Sequence, residues 1–114
     1  MDQVELDQLI TTYNEYLLKL HPVVEHICED LQENDFRESP PALPALLEGL
    51  EWVVEAADCL AGLGKLETTS YQSFSDLIKT MGEAMENRDY ALLRDLLDYE
   101  LLPLLARLKA NQIN

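Results

Sequence analysis

Apolar residues recur along almost the whole chain at steps of three and four, with little sign of the alternation a half-buried strand would show. In the first segment Leu6, Leu9, Ile10, Tyr13, Leu17, Leu20, Val24, Ile27 and Leu31 keep this spacing, which stacks side chains on one helical face. The pattern predicts one long helix over about residues 3 to 33. Asp2 and Glu5 have the spacing of a capping box, in which two side chains satisfy free amides of the first turn. Pro22 interrupts the segment, yet the apolar register crosses it without a slip. The expectation is therefore a kink near Leu18, whose carbonyl loses its helical partner, with two helices broken at His21 as the alternative.

The polar, proline-rich stretch QENDFRESPPALP follows and cannot continue a helix. A second helix should begin close to Pro44, which suits the first turn, and present Leu46, Leu47, Leu50, Val53, Val54, Ala57 and Leu60 to the core. Gly62 and Gly64 mark its end. A third helix is expected from TTSYQ, where Thr69 and Gln72 have capping-box spacing, to about Glu86, with Tyr71, Phe74, Leu77, Ile78, Met81 and Met85 as its apolar stripe. The fourth should run from about Asn87 to Asp89 as far as Asn111. Short connections favour antiparallel neighbours. The fold class expected is all-α: a single domain over residues 1–114, an up-down-up-down four-helix bundle kinked at Pro22 and Pro103.

Charge narrows the range of partners. The chain holds 22 Asp and Glu against 8 Lys and Arg, a formal net charge of −14. Up to Glu38 ten acids face only Lys19 and Arg37. Such a surface repels DNA, RNA and anionic lipid and suits either solubility or a basic protein partner. A DNA mimic would share the charge but would need carboxylates spaced like phosphates. The acidic start MDQVELDQ is not a secretory signal, and no apolar run approaches the roughly 20 residues of a membrane span. Cys28 and Cys59 lie in apolar helical patterns without zinc-ligand spacing, so both are expected as buried free thiols in a cytoplasmic protein.

Catalytic and metal chemistry finds little footing. Di-iron bundles need Glu-x-x-His motifs on two helices, whereas His21 and His26 share one helix and neither follows a Glu by three. Glu25, His26, Glu29 and Asp30 have one-turn spacing that could hold a divalent ion, although a solvated helix face accounts for them as well. Glu51 and Glu55 flank Trp52 as a possible acid and base pair, again on a polar face and without a nucleophile in reach. There is no phosphate-binding glycine loop, no Gly-x-Ser-x-Gly elbow and no cysteine with a plausible histidine base. The expectation is a protein that is not an enzyme and carries no cofactor.

The stretch DYALLRDLLDYELLPLLARL carries more leucine than one helix face can hold. At about 100° per residue, Tyr90, Leu93, Leu97, Leu101, Leu104 and Leu108 form a core stripe, leaving Tyr99 almost opposite and Leu102 and Leu105 to one side. Two outcomes stay open. A kink at Pro103 turns Leu102 and Leu105 inward, or these two with Tyr99 form a surface for a protein partner or for a second copy of the chain.

The blocks ENRDYALLRDLLDYELLPLLARL, YNEYLLKL and LLEGLEWVVEA resemble a group of small, acidic, uncharacterised helical proteins from Firmicutes. The resemblance covers most of the chain and implies no activity or site residues. In size, acidity and helical character the chain is also similar to flagellar export chaperones, cytosolic bundles that hold a secreted subunit through apolar grooves. That likeness implies an interaction protein, an adaptor or chaperone. The alternative is a small metal-binding or enzymatic bundle using Glu25, His26, Glu29 and Asp30.

Overall fold

The computed structural model describes residues 2–66 and 68–108, the side chains of residues 68–70 excepted. Within them lie α1 (Gln3–Glu33), α2 (Leu43–Gly62) and α3 (Thr68–Glu86), followed by a fourth helix in three parts. These parts are α4 (Tyr90–Asp95), a π-helical turn (Leu96–Leu101) and α5 (Leu102–Arg107). Each helix packs on the next and the fourth closes on the first, while among the described residues the diagonal pairs make no close backbone approach. The links between α2 and α3 and between α3 and α4 are too short for anything but antiparallel neighbours. The Cys28 thiol meets the Arg94 carbonyl at 4.0 Å, and further along Leu17 and Leu105 line the same groove, so the fourth helix runs against the first. An up-down-up-down four-helix bundle follows.

α1 is a single helix, and His21 marks no break. Its expected stripe is its buried face, from Ile10 through Tyr13, Leu17, Leu20, Val24 and Ile27 to Leu31. Pro22 is tolerated because it sits on the exposed side, where water can serve the Leu18 carbonyl that has lost its N–H partner. Asp2 caps the helix by accepting the Glu5 N–H at 2.8 Å. At the far end the Phe36 N–H donates to the Leu31 carbonyl, with Asp35 and Phe36 in the left-handed region (φ 52° and 59°), and the Phe36 ring folds back onto the core.

α2 starts one residue earlier than expected, at Leu43, with Pro44 inside the first turn. Gly64 supplies the left-handed turn after it (φ 72°). Gly49 meets a different need: the Tyr16 hydroxyl lies where its Cβ would be, so this glycine lets the Tyr16 ring lie edge-on to Trp52 at 5.2 Å. α3 begins at Thr68, and the expected Thr69 cap lies outside the described side chains; Gln72 instead donates to Asp76 at 3.4 Å. Asp89 caps α4 by accepting the Leu92 N–H at 3.1 Å. The expected extension of the fourth helix to Asn111 also lies outside the described residues.

The leucine surplus of the fourth helix is resolved by the π-helical turn. Pro103 has no N–H, and its ring would press on the Tyr99 carbonyl in a regular α-helix. Over Leu96–Leu101 the helix widens, and the Leu102 N–H reaches back five residues to the Leu97 carbonyl. A residue added to a turn delays the rotation of everything after it, by up to the roughly 100° of one residue step. Leu105 is thereby carried into the core beside Leu97 and Leu101, and Leu96, Leu104 and Leu108 are buried on the flanks. Widening of the turn before the proline, rather than a simple kink, is what turns the second half.

Candidate functional site

Of the three residues expected to receive a partner, Leu105 belongs to the core, with 3 % of its surface exposed. Only its edge reaches a groove of about 370 Å3 between α1 and α5, beside Leu17, Leu18 and His21. Leu102 is half-buried and packs against the same core. Tyr99 alone stands out in solvent, 67 % exposed, and it has an internal contact. Its ring lies 5.6 Å from the Arg94 guanidinium, which also donates to its hydroxyl at 3.5 Å. Arg94 reaches Asp95 and Asp98 at 3.5 Å as well, and the Tyr99 hydrogen bond is the leading reason its basicity is raised. The three residues do not combine into one open apolar surface.

The acidic histidine region of α1 resolves into separate pairs. His21 Nδ1 lies 2.8 Å from Glu25 and His26 Nε2 lies 3.5 Å from Asp30, each one helical turn apart on an exposed face. Among the described residues no group of three or more His, Cys, Asp or Glu is placed to hold a metal ion.

The thiols separate too. Cys28 is buried against the fourth helix, and its pKa is pushed up to about 11, first by burial and then by the Asp98 carboxylate, with Arg94 pulling the other way. A thiol held protonated in this way is a poor nucleophile. Cys59, expected to be buried, is exposed. The buried face of α2 runs through Leu46, Leu50, Val53, Ala56, Ala57 and Leu60, which leaves Cys59 on the outer side.

A second open apolar surface lies between α2 and α3. A groove of about 480 Å3 is floored by Leu50 and Met81 and walled by half-buried Leu47, Val54, Ile78 and Met85. Gly82 lies in its α3 wall, and Glu51 and Glu55 form its α2 rim. The two carboxylates considered as an acid and base pair are thus the edge of an apolar trough. Sequence reasoning assigned Leu47, Val54, Ile78 and Met85 to buried faces. They sit at the edges of those faces, where a two-helix seam facing solvent covers them from one side only.

A family described as "Domain of unknown function (DUF8042)" matches residues 8–111, from the first turns of α1 to beyond the end of α5. The chain belongs to the DUF8042 family. No curated protein and no solved structure matches it. The DUF8042 match takes in all four helices and therefore both sides of the α2/α3 groove. In this DUF8042 chain no helix among the described residues is long and apolar enough to cross a membrane.

Proposed function

We propose that this DUF8042 protein is a non-enzymatic protein-interaction module, adaptor or chaperone-like, that receives apolar side chains of a partner helix in the groove between α2 and α3. The observation that carries this reading is the groove itself: a trough two helices wide, lined by leucine, valine, isoleucine and methionine, and open along one side. Packing such side chains into a solvent-facing seam leaves apolar surface that a partner helix can cover. Methionine suits the task because its flexible thioether adapts to different partner side chains. The class likeness to flagellar export chaperones supports the same reading. A cytoplasmic setting fits two unpaired thiols, one of them exposed. The metal-binding alternative at Glu25, His26, Glu29 and Asp30 has no observation in its favour, since Glu25 pairs with His21 and His26 with Asp30, each one helical turn apart.

The fourth helix is not kept as the docking surface, because Leu105 is buried in the core, Leu102 packs half-buried against it and the Tyr99 ring lies beside Arg94. Site-specific photo-crosslinking in the native cells tests the groove. A crosslinker at Val54 or Glu55 is expected to capture a discrete partner, or a second copy of the chain. The same group at Glu15 or Glu29 on α1 should not. Equal capture from both faces, or none from the groove, would end this reading.

A further inference from the structure

The chemistry of the occupant can be read from the two walls of the α2/α3 groove, and this deepens the reading above and rests on it. Along α2 the acids Glu48, Glu51, Glu55 and Asp58 follow at steps of three, four and three. At about 100° per residue they fall in one sector of less than a quarter turn. Glu51 and Glu55 rim the groove on its α2 side, Asp58 continues their line towards Tyr71 of α3, and Glu48 lies beside the neighbouring groove between α1 and α2. α2 carries no Lys or Arg at all. Asp58 accepts the Tyr71 hydroxyl at 3.3 Å, and among the described residues Glu48, Glu51 and Glu55 have no ion-pair partner. Like charges one turn apart destabilise a helix by roughly 0.2–0.5 kcal/mol per pair. The fold tolerates that repulsion, and only Asp58 among the four is engaged within it. The α3 rim differs: beyond Gly82 come Ser75, Glu86 and Lys79, with the two charges opposite in sign.

Gly82 supplies a second, independent observation. A glycine inside a helix costs about 0.5–1 kcal/mol relative to alanine and usually has a packing reason. Gly49 has one in Tyr16 and Gly64 has one in its left-handed backbone. A Cβ built at Gly82 meets nothing within 4 Å, and its backbone is ordinary helix. Nothing in the chain's own fold uses the missing side chain. The opening it leaves is in the groove wall, where a helix laid into the trough would come closest to the α3 backbone.

We infer that the groove takes an amphipathic helix of a protein partner whose apolar face fits over Met81, Met85 and Gly82 and whose Lys or Arg side chains lie along Glu51, Glu55 and Asp58. Charge complementarity selects this occupant. A second copy of this chain would bring net charge −14 against a row of carboxylates. An acidic partner meets the same repulsion, and a neutral one leaves the row unused.

The test uses the whole protein with 13C-labelled methionine methyls and three synthetic helical peptides: one of Leu and Lys in amphipathic order, its Leu and Gln counterpart, and a Leu and Lys peptide of scrambled order. The ordered Leu and Lys peptide should shift the Met81 and Met85 methyl signals, and its affinity should fall at least tenfold between 50 and 300 mM salt. Gly82→Phe, which fills the opening without changing charge, should weaken binding at least tenfold. Its folding is checked by circular dichroism. Should that variant fail to fold, Gly82→Ala serves, since it is expected to raise Tm while weakening binding. The double change Glu51→Gln, Glu55→Gln should remove the preference for Lys over Gln. Equal binding of the Leu and Gln peptide would overturn the basic-partner inference while leaving the interaction reading intact. Equal binding of the scrambled peptide, or unchanged affinity in both Gly82 variants, would show charge attraction alone and overturn it as well. Failure of every peptide to move the Met81 and Met85 signals would overturn both readings. Concentration-dependent dimerisation abolished by Gly82→Phe would replace the basic helix with a second copy.

Discussion

Tyr13 lies at the centre of α1's buried face with none of its surface exposed, and its hydroxyl has no hydrogen-bond partner. Its ring instead packs near Trp52, with centroids 6.4 Å apart. A hydroxyl taken out of water without a replacement bond costs about 1–3 kcal/mol. Tyr13→Phe keeps the ring and deletes the unpaired group, so it should raise stability, by about 1–2 kcal/mol. For a domain of this size that corresponds to a Tm higher by about 4–8 °C. pH adds a second signature. Burial pushes the Tyr13 phenol far above its ordinary value. Above about pH 10 the unfolded chain loses this proton and the folded chain keeps it, so wild-type stability falls as pH rises. The Phe variant has no such proton, and its advantage should widen between about pH 10 and 11. Thermal and urea melts of both proteins at pH 7 and in that alkaline range provide the comparison. A variant that melts several degrees below wild type at pH 7 would show that the hydroxyl is bonded in solution, and would refute the assignment.

Two further substitutions and one labelling experiment probe the rest of the bundle. Leu105→Ala should lose about 2–5 kcal/mol, as expected for a buried leucine, whereas Tyr99→Ala, which loses an exposed ring over Arg94, should lose less than about 1 kcal/mol. Comparable small losses at both positions in chemical denaturation would mean that the π-helical turn does not bring Leu105 into the core. A thiol reagent at neutral pH should modify one cysteine of the native protein, Cys59, with Cys28 reacting only on unfolding; rapid modification of Cys28 by mass spectrometry would contradict its burial and its raised pKa.

Much of this architecture was legible because it depends on periodicity. The stripe from Ile10 to Leu31 is read directly from spacing, as are Asp2 as a cap and continuity through Pro22, since each rests on neighbours within one or two turns. The third dimension was less accessible. Cys59 sits among apolar residues in sequence, yet it points outward because Ala56, Ala57 and Leu60 already fill the inner face of α2. Leu105 was placed off the core stripe by an ideal rotation per residue, which holds only while every turn has the same number of residues. The π-helical turn breaks that assumption, and its one local signal is Pro103, which reads equally well as a kink. The groove was the hardest feature to foresee. An edge residue of an apolar stripe looks the same in sequence whether a neighbouring helix covers it or leaves it open, so Val54 and Ile78 were indistinguishable from core.

The two prolines bear on how the bundle distributes its apolar surface. Counting from the Cys28–Arg94 contact to the groove that Leu17 and Leu105 share sets Pro22 level with the π-helical turn, where α1 and the fourth helix pack together. Each proline lacks the N–H a helix would use, and Leu18 and Tyr99, four residues before them, carry exposed side chains. The two proline-bearing turns lie side by side, and their inner faces pack leucine on leucine. α2 and α3 have no proline beyond their first turns and keep regular α geometry. Apolar surface remains on both pairs of helices: α1 and the fourth helix expose Leu18, Val23, Leu92 and Tyr99, whereas the α2/α3 seam holds half-buried Leu47, Val54, Ile78 and Met85 around one groove. A groove between two regular helices is a place where a third helix can be laid.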